Sequence, residues 1–289
     1  MDGIWEDFIS RNAHTEPDLS TLPPAKEHLE ADGHSSRWEK VTRDLYAALE
    51  VDTYPIPPTA AREGYYGPRH FSYWASGLRD MQMLLDCAER NNVYVHRYLD
   101  FGCASGRVIR HFAVQEPQIE TFGSDLNRHH VEWVNTHLPS TVTAFMNHSI
   151  PSLPLPDSYL DLVSAYSVFT HIEAFETSWL MELRRVMKPG AIAWITIHSH
   201  LSWLDLEESW PLYRGLKNHK DFPPLEEREP MTEDRKVFRW RNDKSYSSNV
   251  FYSLDYIHKT WGRIFEVSEF RRRHPGFQDV IILKNTKGI

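Results

Sequence analysis

Cysteine is nearly missing: Cys87 and Cys103 are the whole complement of a 289-residue chain. That is too few for a disulfide framework to be the basis of the fold. Long apolar runs are missing as well. The longest, Ala191 to Ile197, falls far short of the ~20 residues that a membrane span needs. Positive charge is in deficit, with 32 Lys and Arg against 40 Asp and Glu and a net charge of −8. This balance argues against a broad surface for nucleic acid or anionic membrane. The run Arg271-Arg272-Arg273 offers a local basic groove at most, and at a strand-to-turn junction it reads first as a solvated face. The stretch Met1 to Asp7 has neither a basic n-region nor an apolar h-region, so the expectation is a soluble, cytoplasmic protein. No internal repeat or low-complexity tract is visible.

What is present is enough apolar content for a core, 41%, at ordinary charge density. Its length suits one large α/β domain, or one domain with additions. The chain is organised around Arg97 to His111. Tyr98 to Phe101 favours a strand and ends in a burst of small residues. Gly102, Ala104 and Gly106 then let the backbone turn tightly and approach a ligand. From Arg107 the pattern turns helical, with Val108, Ile109 and Phe112 on one side. A strand, a small-residue turn and a helix leave unpaired N–H groups where a carboxylate or phosphate can sit. The residue three beyond Ala104 is Arg107, where the dinucleotide fingerprint wants Gly or Ala, so an oxidoreductase is disfavoured.

Around this stretch the pattern alternates. Residues 1–35 are acidic and broken by Pro17, Pro23 and Pro24, and read as an arm. A short helix is expected from Trp38 to Leu49, then a stiff linker at Tyr54-Pro55-Ile56-Pro57-Pro58. The aromatic loop Gly64 to Trp74 precedes an amphipathic helix that ends at Asn91-Asn92. Further strands are expected at Ile119–Gly123, Val142–Met146, Leu160–Ala165 and Ala191–Ile197, with a helix over Glu173–Met187 closed by Lys188-Pro189-Gly190. Such alternation implies a parallel sheet with helices on both faces. Residues 199–249 break it with an irregular, aromatic insert, and Ile264–Phe270 with Gln278–Leu283 read as a closing hairpin around His274-Pro275-Gly276-Phe277. The division expected is an N-terminal arm and helical lid over 1–95 and a main domain over 96–289.

Asp125 follows the second strand, nineteen residues past Gly106. A carboxylate there either accepts both hydroxyl hydrogens of a ribose, with Leu126 covering an adenine, or caps the next helix. His198-Ser199-His200 with Asp205 resembles the start of a metal set. Alternate strand positions point to opposite faces, however, so the expectation is no metal, with either histidine free to line an acceptor pocket.

The spacing Asp100-x-Gly102-x-Ala104-x-Gly106 resembles the first motif of class I S-adenosylmethionine-dependent methyltransferases. So do Leu153-Pro154-Leu155-Pro156-Asp157-Ser158-Tyr159-Leu160-Asp161-Leu162-Val163 and Glu182-Leu183-Arg184-Arg185-Val186-Met187-Lys188-Pro189-Gly190. The likeness covers about residues 95–200 closely and 250–285 loosely. Tyr166-Ser167-Val168-Phe169-Thr170-His171 is similar to methyltransferases of small molecules and glycans. Ala104 departs from the family's middle glycine, and positive φ there would cost on the order of 1 kcal/mol.

The resemblance implies a doubly wound, mostly parallel seven-stranded sheet of Rossmann-like type with an antiparallel last strand. It implies S-adenosylmethionine as cofactor, held by Tyr66, Asp100, Gly102, Cys103, Ala104, Gly106, Arg107, Asp125 and Leu126. Asn147, His148 and Ser149 would lie by the adenine, and Tyr166 and Ser167 by the transferred methyl. A hydroxyl acceptor needs a base; imidazole titrates near neutrality, and His171 is the candidate, against a packing role for the same side chain. Tyr65, Trp74, His198, His200 and Trp203 are the expected acceptor-side residues. O-methylation of a small molecule or glycan leads. A macromolecule methyltransferase and a non-catalytic cofactor-binding subunit stay open; the Asn/Asp-Pro-Pro-aromatic motif of many nucleic-acid amino-methylating enzymes is replaced by Ala165-Tyr166-Ser167-Val168.

Overall fold

The structure, a computed structural model, describes residues 15–31, 33, 35–241, 246–274 and 276–286. The first fourteen residues of the expected arm, and Pro275 of the expected hairpin turn, lie outside the described residues. Two compact units divide the described residues: one takes 15–147 together with 160–164, the other takes 148–159 and 165 onward.

In the first unit, strand β1 (Leu22–Pro24) pairs antiparallel with β2 (Pro55–Ile56), so the proline-rich linker is the edge of a small two-stranded sheet. The single helix expected over 38–49 is two, α1 (Ser35–Glu39) and α2 (Leu45–Val51). The break has a local cause. Asp44 is left-handed at φ 49°, and Arg43 turns aside to helix α3 (His70–Arg90). There its N–H donates to Gln82 Oε1 at 2.9 Å and its guanidinium pairs with both oxygens of Asp86.

Helix α3 buries Phe71, Trp74, Leu78, Met81 and Leu84, a stripe at helical spacing. Behind it come β3 (Arg97–Phe101), α4 (Ile109–Gln115), β4 (Glu120–Asp125), α5 (Arg128–His137), β5 (Val142–Met146) and β6 (Leu160–Ala165). These strands are parallel in the order β6-β3-β4-β5. Strand β6 is buried at every position, as a strand covered on both faces must be. The chain steps outward from β3 to β5 and then returns to the far side of β3. That reversal sits beside the C-terminal end of β3, where an open α/β sheet leaves its crevice.

The second unit contains α6 (Glu176–Val186), β7 (Met187–Ser199), α7 (His200–Asp205), α8 (Pro211–Leu216), β8 (Arg235–Arg239), β9 (Ser248–Tyr252), α9 (Leu254–Thr260), β10 (Glu266–Arg271) and β11 (Asp279–Lys284). Strand β11 lies antiparallel between β7 and β10. Helix α6 begins later than expected and gives way directly to β7 at Met187. Lys188-Pro189-Gly190 is therefore strand; the left-handed Gly190 (φ 86°) donates its N–H to Asn285 O at 2.7 Å. The insert is more regular than its sequence suggests. It folds two helices and the antiparallel β8–β9 pair around Trp203, Leu206, Leu212, Leu216, Phe238 and Phe251, and β9 runs parallel to the end of β7. Seven strands, β3 to β7 with β10 and β11, make up the expected doubly wound, mostly parallel sheet whose last strand is antiparallel.

Candidate cofactor site

The turn after β3 is built by backbone. Gly102, Ala104 and Gly106 all adopt positive φ, at 79°, 46° and 82°. Gly102 and Cys103 donate their N–H groups to Ser124 O at the end of β4 (2.8 and 2.9 Å), and Gly106 N–H closes the turn on Cys103 O at 3.0 Å. Its φ of 82° is what makes Gly106 a glycine position; a Cβ there would also lie 2.6 Å from a terminal methyl of Leu138, which would have to shift. The Cys103 side chain packs in the core with Ile109, Val131 and Val134, and its thiol also donates to Ala104 O in the turn at 3.5 Å. Burial, then the charges of Asp125 and Asp100, push its thiol well above the ordinary range.

Two carboxylates flank the turn. Asp100, near the end of β3, is 3% exposed and accepts from the Ser164 hydroxyl at 2.7 Å; that hydroxyl also meets Tyr98 Oη at 2.6 Å. Burial raises Asp100 from 3.8 to about 6, with Asp125 adding to the rise and Ser164 and Arg107 opposing it. Asp125, at the end of β4, is not the cap of α5, a role that Asn127 takes by accepting His129 N–H at 3.0 Å; it bonds backbone on either side of it. Its Oδ1 accepts Asn127 N–H at 2.8 Å at the start of α5, and its Oδ2 accepts Ala104 N–H at 2.9 Å in the turn. Each carboxylate oxygen has further acceptor capacity. Leu126 is half-buried beside it, and the buried Asn147 donates its backbone N–H to Asp125 O at 3.1 Å. A ligand with a cationic ammonium, a sulfonium and a vicinal diol fits such a set of acceptors, and S-adenosylmethionine carries all three.

A loop over residues 59–67 lies against this turn. The Ser105 hydroxyl donates to Ala61 O, and the Arg107 guanidinium sits 5.9 Å from the Tyr65 ring centre while pairing with Asp80 at 2.6 Å. The loop is closed on itself, Thr59 Oγ1 donating to Gly67 O at 2.9 Å and Arg62 bonding the same carbonyl at 2.5 Å. Glu63 and Tyr66 hold positive φ at 56° and 61°, conformations that cost on the order of 1 kcal/mol or more each in non-glycine residues. Tyr65 is exposed; Tyr66 is half-buried, 6.3 Å from the Trp38 ring.

Trp74 is corrected by the structure. It is fully buried in α3 with its indole N–H given to Asp52 Oδ2 at 2.6 Å, part of the buried Asp52–Arg110 ion pair, so it is core and not an acceptor wall. The reason is position on the helix: it shares the inward stripe with Phe71 and Leu78.

The other expected residues belong to the second unit. His171 is exposed, its Nδ1 2.7 Å from Ser248 O at the start of β9. A neutral ring in that geometry donates Nδ1–H to the carbonyl and keeps its lone pair on Nε2. His198, at the end of β7, is 2% exposed between the rings of Phe251 (5.2 Å) and Phe277 (6.2 Å). Its Nδ1 has no hydrogen-bond partner among the described residues, and burial, then His171, lowers it to about 3, so it stays neutral. His200 opens α7 and lies 3.4 Å from Leu254 N. Among the described residues no three His, Cys, Asp or Glu side chains gather as a metal site. Tyr166 and Ser167 are half-buried past β6, with Ser167 at φ 58° and donating N–H to Thr196 Oγ1 at 2.7 Å. His148 is exposed, whereas Ser149 is buried and accepts from Tyr246 Oη at its carbonyl. Trp203 is also corrected. It is 1% exposed at the centre of the insert's aromatic cluster, its N–H donated to Glu229 O at 2.8 Å, and does not wall an open pocket.

Sequence reasoning missed Ser164, Asp80 and His130. Ser164 is, with Asp161, one of two polar positions in the mostly apolar β6, the one hint available. Asp80 lies on the stripe of α3 that should be apolar, and at 1% exposure it bridges Arg79 and Arg107.

Residues 99–195 match the family model described as "Methyltransferase domain". With the strand order and the turn between Asp100 and Asp125, that part of the chain is similar to a class I S-adenosylmethionine-dependent methyltransferase domain. An uncharacterized methyltransferase of Schizosaccharomyces pombe is 30% identical over 160 residues, 52% of this chain and 51% of its own. The chain thus spans about half the length of that curated relative. Among solved structures, the 1,6-didemethyltoxoflavin-N1-methyltransferase of Burkholderia thailandensis shares the fold at a TM-score of 0.51 and 10% identity, covering 96% of this chain and 100% of that one. No described helix is long and apolar enough to cross a membrane.

Proposed function

We propose that this chain transfers a methyl group from S-adenosylmethionine to a hydroxyl of a small molecule or glycan. The observation that carries the cofactor reading is the pair Asp100 and Asp125 around a turn with three positive-φ residues. When bound, the cofactor supplies a methyl already activated by its sulfonium. The backbone of Gly102 to Gly106, with Cys103 and Arg107, holds the methionine end. Asp125 accepts the ribose hydroxyls, and Leu126, Asn147, His148 and Ser149 border the adenine. Asp100 faces the cationic part of the ligand, which is the use of a buried carboxylate kept near its ionisation point. Tyr65 and Tyr66 supply aromatic faces that attract a sulfonium.

The chain needs little further chemistry beyond alignment and exclusion of water. His171 Nε2 takes the acceptor's proton, with Nδ1–H anchored on Ser248 O fixing the tautomer. Tyr166, Ser167, His198 and His200 belong to the acceptor side of the reading. Residues 1–95 act as arm and lid on a catalytic domain over 96–289, with 199–249 as its substrate-side insert, in a cytoplasmic protein.

The test is release of S-adenosylhomocysteine from S-adenosylmethionine across panels of sugars, phenols and amines, followed by mass spectrometry of the methylated product. Product from hydroxyl acceptors supports the reading. Product from amines alone overturns the O-methylation, and S-adenosylhomocysteine binding without turnover on any panel overturns catalysis. Asp125→Ala removes a charged hydrogen-bond acceptor and should weaken S-adenosylhomocysteine binding by roughly 1.5–3 kcal/mol. Unchanged affinity by calorimetry sinks the ribose assignment.

A further inference from the structure

His130 has no role in the reading above. It lies on α5, 4% exposed, with Nδ1 3.5 Å from Asp125 Oδ1. That separation is too long for a hydrogen bond, and Nδ1 has no other partner among the described residues. On the other side of the ring, Nε2 is 3.4 Å from Asn127 Nδ2 and 3.9 Å from Glu63 Oε1. Glu63 belongs to the loop 59–67 and is held at positive φ.

The protonation pattern follows from the neighbours. Asn127 uses its side-chain oxygen to accept His129 N–H at the start of α5, which leaves its amide nitrogen facing His130. Nε2 of a neutral ring must then accept, so the ring proton sits on Nδ1 and points at Asp125 Oδ1. A buried N–H left unpaired beside a carboxylate is costly, and closing the gap by about half an ångström makes it a charge-assisted bond. We propose that His130 is a positioning residue for the cofactor's ribose: its Nδ1–H clamps the Asp125 carboxylate from inside, while the Asn127 amide faces Nε2 and fixes the ring. Asn127 N–H and His130 hold Oδ1, Ala104 N–H holds Oδ2, and the outer edge of the carboxylate is kept for the diol.

This inference rests on Asp125 being the ribose ligand, and the experiment separates the two. Calorimetry would measure S-adenosylhomocysteine and its 2′-deoxy analogue against the parent, Asp125→Asn, His130→Phe and His130→Gln, with melting curves for each. The parent and His130→Gln, which keeps a donor toward Asp125, should bind S-adenosylhomocysteine within about threefold of each other and prefer it over the deoxy analogue. His130→Phe should lose about tenfold in affinity for the natural ligand and much less for the analogue, since a misplaced carboxylate fails mainly the hydroxyl. Equal losses on both ligands would mean a merely structural residue and overturn the proposal, as would His130→Phe binding like the parent. If Asp125→Asn leaves affinity and preference unchanged, the ribose reading itself fails.

Discussion

Replacing Asp100 by Asn should make the empty protein more stable and a poorer binder. The side chain keeps its size and the oxygen that accepts the Ser164 hydroxyl at 2.7 Å. What changes is charge. Burial raises this carboxyl from 3.8 to about 6, so folding holds an ionised group in a place that disfavours it. Below the unfolded value both states are protonated and nothing is lost. Between the two values the unfolded chain ionises while the folded one keeps its proton, so native stability falls as pH rises through this window. Above pH 6 the penalty is constant, about 3 kcal/mol for a group with 3% exposure. The amide's new N–H groups need acceptors in a buried site, which returns part of that, leaving a gain of about 1–3 kcal/mol at pH 8. Urea unfolding of parent and variant without ligand at pH 4, 5, 6 and 8 measures it. The gap should open from pH 4 to 6 and hold beyond. A variant less stable than the parent at pH 8, or a gap that ignores pH, refutes the reasoning. The cost of the charge is recovered on binding: affinity for a cationic cofactor should fall by about tenfold in the variant.

Ala104→Gly should stabilise slightly, by up to about 1 kcal/mol in urea unfolding, because it removes a methyl from a φ of 46° while adding freedom to the unfolded chain. Gly77→Ala should be among the most damaging changes, since a Cβ there would lie 1.9 Å from the Arg107 carbonyl oxygen and force α3 off the turn; a melting temperature equal to the parent's would be inconsistent with that packing. His171→Asn keeps a donor for Ser248 O but no base, so single-turnover transfer to a hydroxyl should fall about 10²–10⁴-fold with S-adenosylhomocysteine affinity unchanged. A loss below about threefold removes His171 from the chemistry.

The strands around the turn were readable because local signals and burial agree there. Leu160–Ala165 is apolar apart from Asp161 and Ser164 and is buried throughout, and Val142–Met146 forms with the bounds expected of it. Boundaries slipped where tertiary bonds overrule propensity. Lys188-Pro189-Gly190 has the composition of a helix terminator, yet Gly190 N–H is taken by Asn285, nearly a hundred residues away, and the strand begins before it. The helix expected at 38–49 broke for the same kind of reason, because Arg43 is worth more to Gln82 and Asp86 than to a continuous helix.

Aromatic residues misled differently. Trp74 and Trp203 sit in segments rich in exposed-looking aromatics, and sequence offers no way to tell a wall from a core when helical phase is short or absent. The structure separates them by the fate of the indole N–H: both donate it inward, to Asp52 and to Glu229 O. Tyr65, with 46% exposure, keeps the face that the tryptophans lack. Conversely, His130 carries no signal in the sequence beyond standing five residues after Asp125. Its meaning comes from its neighbours, Asp125 on β4 and Asn127 at the head of α5. A motif marks where backbone must bend around a ligand. The side chain that holds the motif's own carboxylate lies outside it, and only folding brings them together.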